Sequence, residues 1–240
     1  MYGWRGRIGH VEPSIWDAEG EWAQLMPEGM CTVVSTLGVT RLTDAQLEKA
    51  GEGYADAVLK LAETGCAAIS IGGSPILTKR GIGADRNLIA QLAEICPVPV
   101  TTSLTAAVDA MNFLGAKRLA IATPYLPQRN EERKRFMEQS GFEVLTIQGL
   151  GIERNIEIAR VSPYDAYQLG RKVFRDAGEK ADAVYFSCGR WPIVSLMQKL
   201  EDDLGVPVVC SVSLQIWASL RLMKFHGKVE GYGKLMRSFV

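Results

Sequence analysis

The feature that most constrains the fold is a pattern that occurs once in each half of the chain. In each copy an apolar, strand-like run ends on small residues. A helical segment, a Val-Pro-Val triplet and a Ser-Leu pair that opens another helix then follow. The strand-like runs lie at residues 67–71 and 183–186. Parallel strands need long crossover connections, which are usually helices. The repeat therefore predicts an α/β protein with two pseudosymmetric lobes, each built on a parallel sheet.

The ends of the predicted strands indicate where a ligand would bind. In open α/β sheets a ligand lies beyond the carboxyl ends of the strands. Both small-residue corners, at residues 72–74 and 188–190, follow such ends, so we expect them to face each other across a cleft. We predict a first lobe formed by residues 1–115 and 214–240, and a second lobe formed by residues 116–213.

Charge and hydropathy exclude several classes of function. The 27 Lys and Arg residues balance the 27 Asp and Glu residues, so no basic surface indicates a nucleic-acid partner. We find no apolar run of membrane-spanning length and no signal-peptide core at the start. We expect a cytoplasmic protein that acts as a monomer or homo-oligomer, without a nucleic-acid or membrane partner.

The cysteines and histidines argue against metal centres and disulfides. The five cysteines form no Cys-x-x-Cys pair, and their number is odd. With only two histidines, we expect no metal, and a Ser/His/Asp triad has few candidates for its base. A Gly-x-Gly at residues 81–83 lacks the third glycine of a dinucleotide site.

Cys188 is the strongest candidate for a reactive group. It follows a predicted strand and precedes a predicted helix at residues 193–204. Backbone N–H groups and the helix dipole stabilise an anion at such a place and can tune a thiol. The alternative is a buried cysteine that acts as a small hydrophobic residue, which is our interpretation of the remaining cysteines.

The corner in the first half carries no thiol. Overlaying the two corners places Gly72 opposite Cys188 and Gly73 opposite Gly189. Glycines let a backbone approach a ligand closely, and N–H groups beside the Ser74 hydroxyl can hold a carboxylate or enolate oxygen. The alternative is an ordinary strand-to-helix turn.

Two hydroxyl groups end a further predicted strand. Thr123 and Tyr125 follow the apolar run at residues 118–122. They could add two hydrogen-bond donors to the cleft, or Tyr125 could be a packing residue.

The order of these motifs resembles the aspartate/glutamate racemase superfamily, most closely the branch of arylmalonate decarboxylases and maleate cis-trans isomerases. The resemblance extends over nearly the whole chain. It implies two pseudosymmetric lobes, an active site in the cleft between them, no metal and no organic cofactor. It rests on Ser187-Cys188-Gly189, Gly72-Gly73-Ser74, Ala122-Thr123-Pro124-Tyr125 with Asn130-Glu131, Leu150-Gly151-Ile152, Ala159-Arg160-Val161, Gly205-Val206-Pro207-Val208 and Gly231-Tyr232-Gly233.

The same resemblance implies chemistry with one thiol. Family racemases and isomerases usually present one cysteine from each lobe, because inversion needs a base and an acid on opposite faces. The decarboxylases resemble this chain, with glycine first and cysteine second. Cys188 would then protonate the enediolate that remains when a malonate loses CO₂. Donors to the retained carboxylate would be Gly73, Ser74, Tyr125 and Gly189, and the apolar pocket for the departing carboxylate would include Val39, Leu42 and Ile158.

The chain also departs from the decarboxylase pattern. Arg190 and Trp191 stand where small residues follow the cysteine-glycine pair, and Asn155 stands where an apolar wall residue is expected. Ser14 replaces a second proline after Pro13. An Arg190 turned into the cleft would bind a second carboxylate and lower the thiol pKa, whereas one turned outward is a surface cation. Pro13, Ser14, Gly72, Asn155 and Arg190 complete the expected substrate-binding set.

Three functions follow from these observations. The first is a cofactor-free decarboxylase of a substituted malonate, arylmalonate or similar dicarboxylic acid, with enantioselective protonation by Cys188. The second is a maleate cis-trans isomerase or racemase of the same superfamily. The third is a non-catalytic protein that binds carboxylates. A cysteine at Gly72 should introduce racemisation if a second thiol on the opposite face is what racemases need.

Overall fold

Two parallel four-stranded sheets organise the chain, as the repeat predicts. The computed structural model describes residues 2–239. The strands are β1 (Gly6–Ser14), β2 (Met30–Val39), β3 (Ala68–Ile71), β4 (Val100–Thr102), β5 (Arg118–Thr123), β6 (Glu143–Gly149), β7 (Ala183–Phe186) and β8 (Val208–Cys210). Their orders are β2-β1-β3-β4 and β6-β5-β7-β8, and every pair is parallel. The predicted α/β fold with two pseudosymmetric lobes is confirmed.

Helices connect the strands. They are α1 (Glu19–Leu25), α2 (Asp44–Glu52), α3 (Tyr54–Glu63), α4 (Ser74–Lys79), α5 (Ala84–Ile95), α6 (Ser103–Leu114), α7 (Pro127–Gln139), α8 (Asn155–Ile158), α9 (Pro163–Asp176), α10 (Met197–Leu204), α11 (Ser211–Leu222) and α12 (Gly233–Met236), with a 3₁₀ turn at Val194–Leu196. The Ser162 hydroxyl accepts from the Asp165 amide and caps α9. Gly115 ends α6 in the left-handed conformation, which glycine adopts without steric cost.

The register of the strands fixes which residues correspond between the two lobes. Val11 pairs with Ile71 in the first sheet, and Ala122 pairs with Phe186 in the second. The next amides along the chain donate in the same way, Gly72 to the Val11 carbonyl and Ser187 to the Ala122 carbonyl. Equivalent positions are therefore Gly72 and Ser187, Gly73 and Cys188, and Ser74 and Gly189.

This register corrects the overlay made from the sequence, which was wrong by one residue. The overlay matched glycine to glycine, at Gly73 and Gly189. The backbone instead gives the first place in the second corner to Ser187, which donates the hydrogen bond that continues the ladder. Gly73, not Gly72, thus stands where the other lobe carries Cys188.

The last helices contact both halves of the chain. The two sheets lie within residues 6–102 and 118–210. Helix α11 packs against α6, β3 and β4 of the first half and against β8 of the second. Its assignment, with the segment that follows, to the first lobe stays a prediction. Within residues 2–239, no helix has the length and apolar character needed to cross a membrane.

Candidate active site

A cavity of about 50 Å³ lies where the carboxyl ends of the two sheets meet. Every site residue predicted from the sequence lines it except Ile158. Its lining residues are Glu12, Pro13, Ser14, Val39, Leu42, Leu47, Gly72, Gly73, Ser74, Pro75, Ser103, Tyr125, Asn155, Cys188, Gly189, Arg190, Ser211 and Gln215. Both corners thus reach one cavity. Ile158 instead ends the single turn of α8 and is fully buried in the hydrophobic core, because only the Asn155 end of that turn reaches the cavity.

Cys188 presents its thiol to the cavity while remaining 5% exposed. Burial raises its pKa, and hydrogen bonds from the Tyr125 hydroxyl and the Arg190 amide only partly oppose that rise. The group is therefore a protonated thiol at neutral pH. The expected helix dipole is not at hand, since the 3₁₀ turn begins at Val194 and α10 at Met197.

Tyr125 is held beside Cys188 by its own strand end. Its amide donates to the Thr123 hydroxyl over 3.1 Å, and that hydroxyl donates to Asn130 Oδ1 over 2.5 Å. Thr123 is fully buried and is occupied in this way, so it positions Tyr125 and does not itself line the cavity. Burial and the neighbouring thiol raise the pKa of Tyr125 well above its ordinary value. The phenol remains a donor at every physiological pH.

Gly73 occupies a place that admits no side chain without rearrangement. Its φ is +84°, and an added Cβ would lie 2.4 Å from Pro13 Cγ and 2.6 Å from the Tyr54 hydroxyl. That hydroxyl donates to the Gly72 carbonyl over 3.0 Å, which fixes the corner. The corner is indeed a strand-to-helix turn, and it also forms one wall of the cavity.

Arg190 matches neither of the two orientations considered from the sequence. It lines the cavity and is 6% exposed, so it is not a surface cation. Its guanidinium donates to the Ile15 carbonyl and to Asp17 Oδ2 of the opposite lobe. The positive charge is therefore already paired.

The sequence analysis missed Glu12, which lies on the first-lobe side of the cavity. It is 8% exposed. Its Oε1 accepts from the Ser14 amide and hydroxyl, over 3.1 and 2.5 Å, and its Oε2 lies 3.3 Å from His10 Nε2. Burial raises its pKa, but the hydrogen bonds and charge of His10 and the bonds from Ser14 outweigh burial and leave it lowered. Glu12 is an ionised carboxylate in the cavity.

A signal for Glu12 was present in the sequence. The strand register makes Glu12, Pro13 and Ser14 equivalent to Thr123, Pro124 and Tyr125. Both triplets combine a polar residue, a proline and a hydroxyl at the end of a central strand. The further lining residues that the sequence analysis missed are Leu47, Pro75, Ser103, Ser211 and Gln215.

Contacts between the lobes close the outer side of the cavity. Arg41 and Arg154 form an isolated antiparallel bridge between the two halves. Arg129 Nη2 donates to the Leu42 carbonyl over 3.2 Å and to Asp44 Oδ1 over 2.6 Å.

A second pocket of about 270 Å³ adjoins the cavity. Val39, Asn155 and Arg190 line both spaces and so form the wall between them.

Comparison with known proteins decides the family. The family model for arylmalonate decarboxylase matches residues 10–236. The chain belongs to the arylmalonate decarboxylase family. It is 28% identical over 226 residues to arylmalonate decarboxylase of Bordetella bronchiseptica, covering 94% of this chain and 93% of that protein. It is 26% identical over 208 residues to maleate isomerase of Geobacillus stearothermophilus, covering 84% and 82%.

Solved structures agree with this family. A liganded arylmalonate decarboxylase variant, with one glycine-to-cysteine and one cysteine-to-serine change, superposes with a TM-score of 0.89 at 28% identity. The match covers 96% of this chain and 98% of that one. Maleate isomerase from Pseudomonas putida S16 with maleate superposes with a TM-score of 0.90 over 97% of both chains, at 22% identity, which supports the fold. The aspartate/glutamate racemase-like superfamily is thereby established.

Proposed function

We propose that the protein decarboxylates a substituted malonate and protonates the resulting enediolate through Cys188. The observation that carries this proposal is the asymmetry of the two corners. A buried, protonated thiol faces the cavity from one lobe, and the equivalent position in the other lobe is Gly73, which has no side chain. One carbanion face therefore meets a thiol, and the other meets none.

The reaction needs only one proton transfer from the protein. The bond between Cα and the departing carboxylate breaks, CO₂ leaves, and the electron pair stays on Cα, delocalised into the retained carboxylate as an enediolate. Cys188 Sγ then transfers its proton to Cα from one side. The thiolate recovers a proton from water, and the substituted acetate leaves.

Hydrogen-bond donors beside the thiol suit the retained carboxylate. The Ser74 and Tyr125 hydroxyls and the backbone at Gly73 and Gly189 line the same cavity as Cys188. This carboxylate gains charge in the enediolate, so fixed donors stabilise it more than the ground state. Each such donor contributes about 3 kcal/mol in comparable sites.

Apolar side chains form another part of the wall. Val39, Leu42 and Leu47 line the cavity together with Pro13 and Pro75. A carboxylate placed against them is poorly solvated, and it loses that charge when it leaves as CO₂. Ile158, which the resemblance assigned to this pocket, takes no part in the wall.

Isomerisation of a maleate-like substrate is the second candidate. Asn155, which is more typical of the isomerases by resemblance, lines the cavity, and maleate isomerases are among the relatives. A thiolate that adds to a double bond would be required, however. The raised pKa of Cys188 favours the proton donor over the nucleophile.

Direct assays separate the two candidates. CO₂ release is measured from phenylmalonate, methylmalonate and malonate, and maleate is followed for conversion to fumarate. Release of CO₂ without fumarate supports decarboxylation. Fumarate formation without CO₂ contradicts it and supports the isomerase, and neither product would leave only a carboxylate-binding role.

The pH dependence follows from the thiol. The reaction uses the protonated form, and burial raises the pKa of Cys188 above its ordinary value of 9.0. We expect kcat/KM to stay level through neutral pH and to fall only as the pH passes that raised pKa. A pH–rate profile of CO₂ release checks this. A rate that increases with pH through neutrality would indicate a thiolate and contradict the proton-donor role.

Tyr125 offers a test of the donor set. Tyr125→Phe removes the hydroxyl beside Cys188 and is expected to lower kcat for CO₂ release roughly 10²- to 10³-fold. The matched control is Tyr164→Phe, at a tyrosine that is 69% exposed. Equal activity in the two variants would remove Tyr125 from the site.

A further inference from the structure

We propose that the substrate is a malonate that carries a small protonated amino group on Cα, and that Glu12 binds this ammonium. The inference rests on the proposed decarboxylation and adds to it the substrate class. Two independent observations support it: the carboxylate in the cavity wall and the size of the cavity.

The carboxylate of Glu12 is held by residues of its own lobe. Ser14 occupies Oε1 from two donors, and His10 Nε2 approaches Oε2. His10 Nδ1 lies 3.2 Å from the Ser70 carbonyl, to which it must donate, and Trp22 packs against the ring at a centroid distance of 4.3 Å. The side chain is therefore oriented before a ligand binds.

An ionised carboxylate offers only acceptors to a ligand, because each remaining lone pair requires a donor. Among the described residues that line the cavity, Arg190 carries the only positive charge, and it is paired with Asp17. An apolar substituent at Glu12 would leave its lone pairs unsatisfied, and a second carboxylate there would be repelled. An ammonium would donate to Glu12 and compensate its charge.

The volume of the cavity limits the substituent further. The space measures about 50 Å³, whereas an engineered cavity that binds benzene measures on the order of 150 Å³. An aryl group would have to displace the wall formed by Val39, Asn155 and Arg190. Amino, methyl and hydroxyl groups are similar in size, so polarity decides among them.

The arrangement also assigns the rest of the substrate. The retained carboxylate faces the Ser74 and Tyr125 hydroxyls, and Cα is presented to Cys188, while the ammonium reaches Glu12 on the first-lobe side. Decarboxylation of aminomalonate then yields CO₂ and glycine, with the new C–H proton supplied by the thiol.

A series of equal-sized substrates tests the proposal on the unmodified protein. CO₂ release from aminomalonate, hydroxymalonate and methylmalonate is compared at the same pH. We expect kcat/KM for aminomalonate to exceed that for methylmalonate by roughly 10²-fold, with hydroxymalonate between them, because a polar site rejects an analogue that lacks its donor. Methylmalonate turned over as well as aminomalonate would overturn the ammonium site and leave the decarboxylation intact.

Variants of Glu12 test its part separately. Glu12→Gln keeps the shape and Glu12→Val makes the wall apolar. Both should lower the ratio of aminomalonate to methylmalonate turnover, and Glu12→Val should reverse it. A ratio measured within one variant does not depend on the folded fraction. Glu131→Gln, which removes an exposed carboxylate elsewhere, should leave the ratio unchanged. An unchanged ratio in both Glu12 variants would contradict the proposal.

A binding measurement distinguishes failure of this inference from failure of the proposed function. Cys188→Ala is titrated calorimetrically with aminomalonate and methylmalonate, alone and combined with Glu12→Val. Tighter binding of aminomalonate that is lost with Glu12→Val supports the ammonium site even if the unmodified protein releases no CO₂. Equal binding of both compounds counts against the site.

Discussion

Cys188→Ala is expected to lower kcat for CO₂ release roughly 10²- to 10⁴-fold, the usual contribution of a positioned proton donor. KM should change little, because the thiol acts on the carbanion and the donors to the retained carboxylate remain. The measurement is steady-state CO₂ release from the best malonate substrate. Because the sulfur is 5% exposed within the cavity wall, the substitution to alanine removes one buried atom and adds no polar group.

The matched control is another buried cysteine. Cys96 is also 5% exposed, but its sulfur approaches the Val98 carbonyl and does not line the cavity. Cys96→Ala should therefore keep its turnover. If Cys188→Ala retained full turnover, the proton would have to come from another group, and the asymmetry between the two corners would lose its meaning.

Gly73→Cys is expected to make the product racemic. A second sulfur at this position would face the carbanion from the side opposite Cys188, so protons could arrive from both sides. The assay is the chirality of 2-methylbutyrate formed from ethyl(methyl)malonate. The change also has a structural cost, because φ is +84° and the added Cβ meets Pro13 and Tyr54. A strained residue of this kind costs about 1–3 kcal/mol, which a lower Tm would report.

Gly72→Cys is the matched control and reverses the expectation drawn from the sequence overlay. Gly72 does not have a positive φ, and its added Cβ would meet His10, Val11 and Pro13 at 3.2–3.3 Å. The backbone register places it opposite Ser187. We expect this variant to keep the enantioselectivity of the parent. Racemic product from Gly72→Cys, with unchanged selectivity in Gly73→Cys, would show that the register argument fails.

Local patterns were sufficient to predict most of the fold. Strands β3 and β7 are buried along their whole length, so they appear in the sequence as short apolar runs that end on small residues. Parallel pairing then requires the helices between them. The cleft and most of its lining follow, because strand ends converge at one edge of each sheet.

Pairings between distant residues were beyond the reach of local patterns. Arg190 meets Asp17 across 173 positions, and nothing near either residue indicates the pair. Glu12 was passed over because a carboxylate before a proline at a strand end is usually solvated. Only tertiary structure encloses it with His10 and Ser14. The one-residue error at Gly73 arose because residue identity was matched where the hydrogen-bond ladder decides the correspondence.

The wall between the cavity and the adjoining pocket has a kinetic consequence. A ligand that passes through this side must part the Arg41–Arg154 bridge and release Arg129 from Asp44. Exposed ion pairs contribute about 0–1 kcal/mol each, so such gates open readily, on the microsecond-to-millisecond timescale of loop and domain motions. The closed enclosure can therefore shield the carbanion from bulk water during each turnover and still exchange product rapidly.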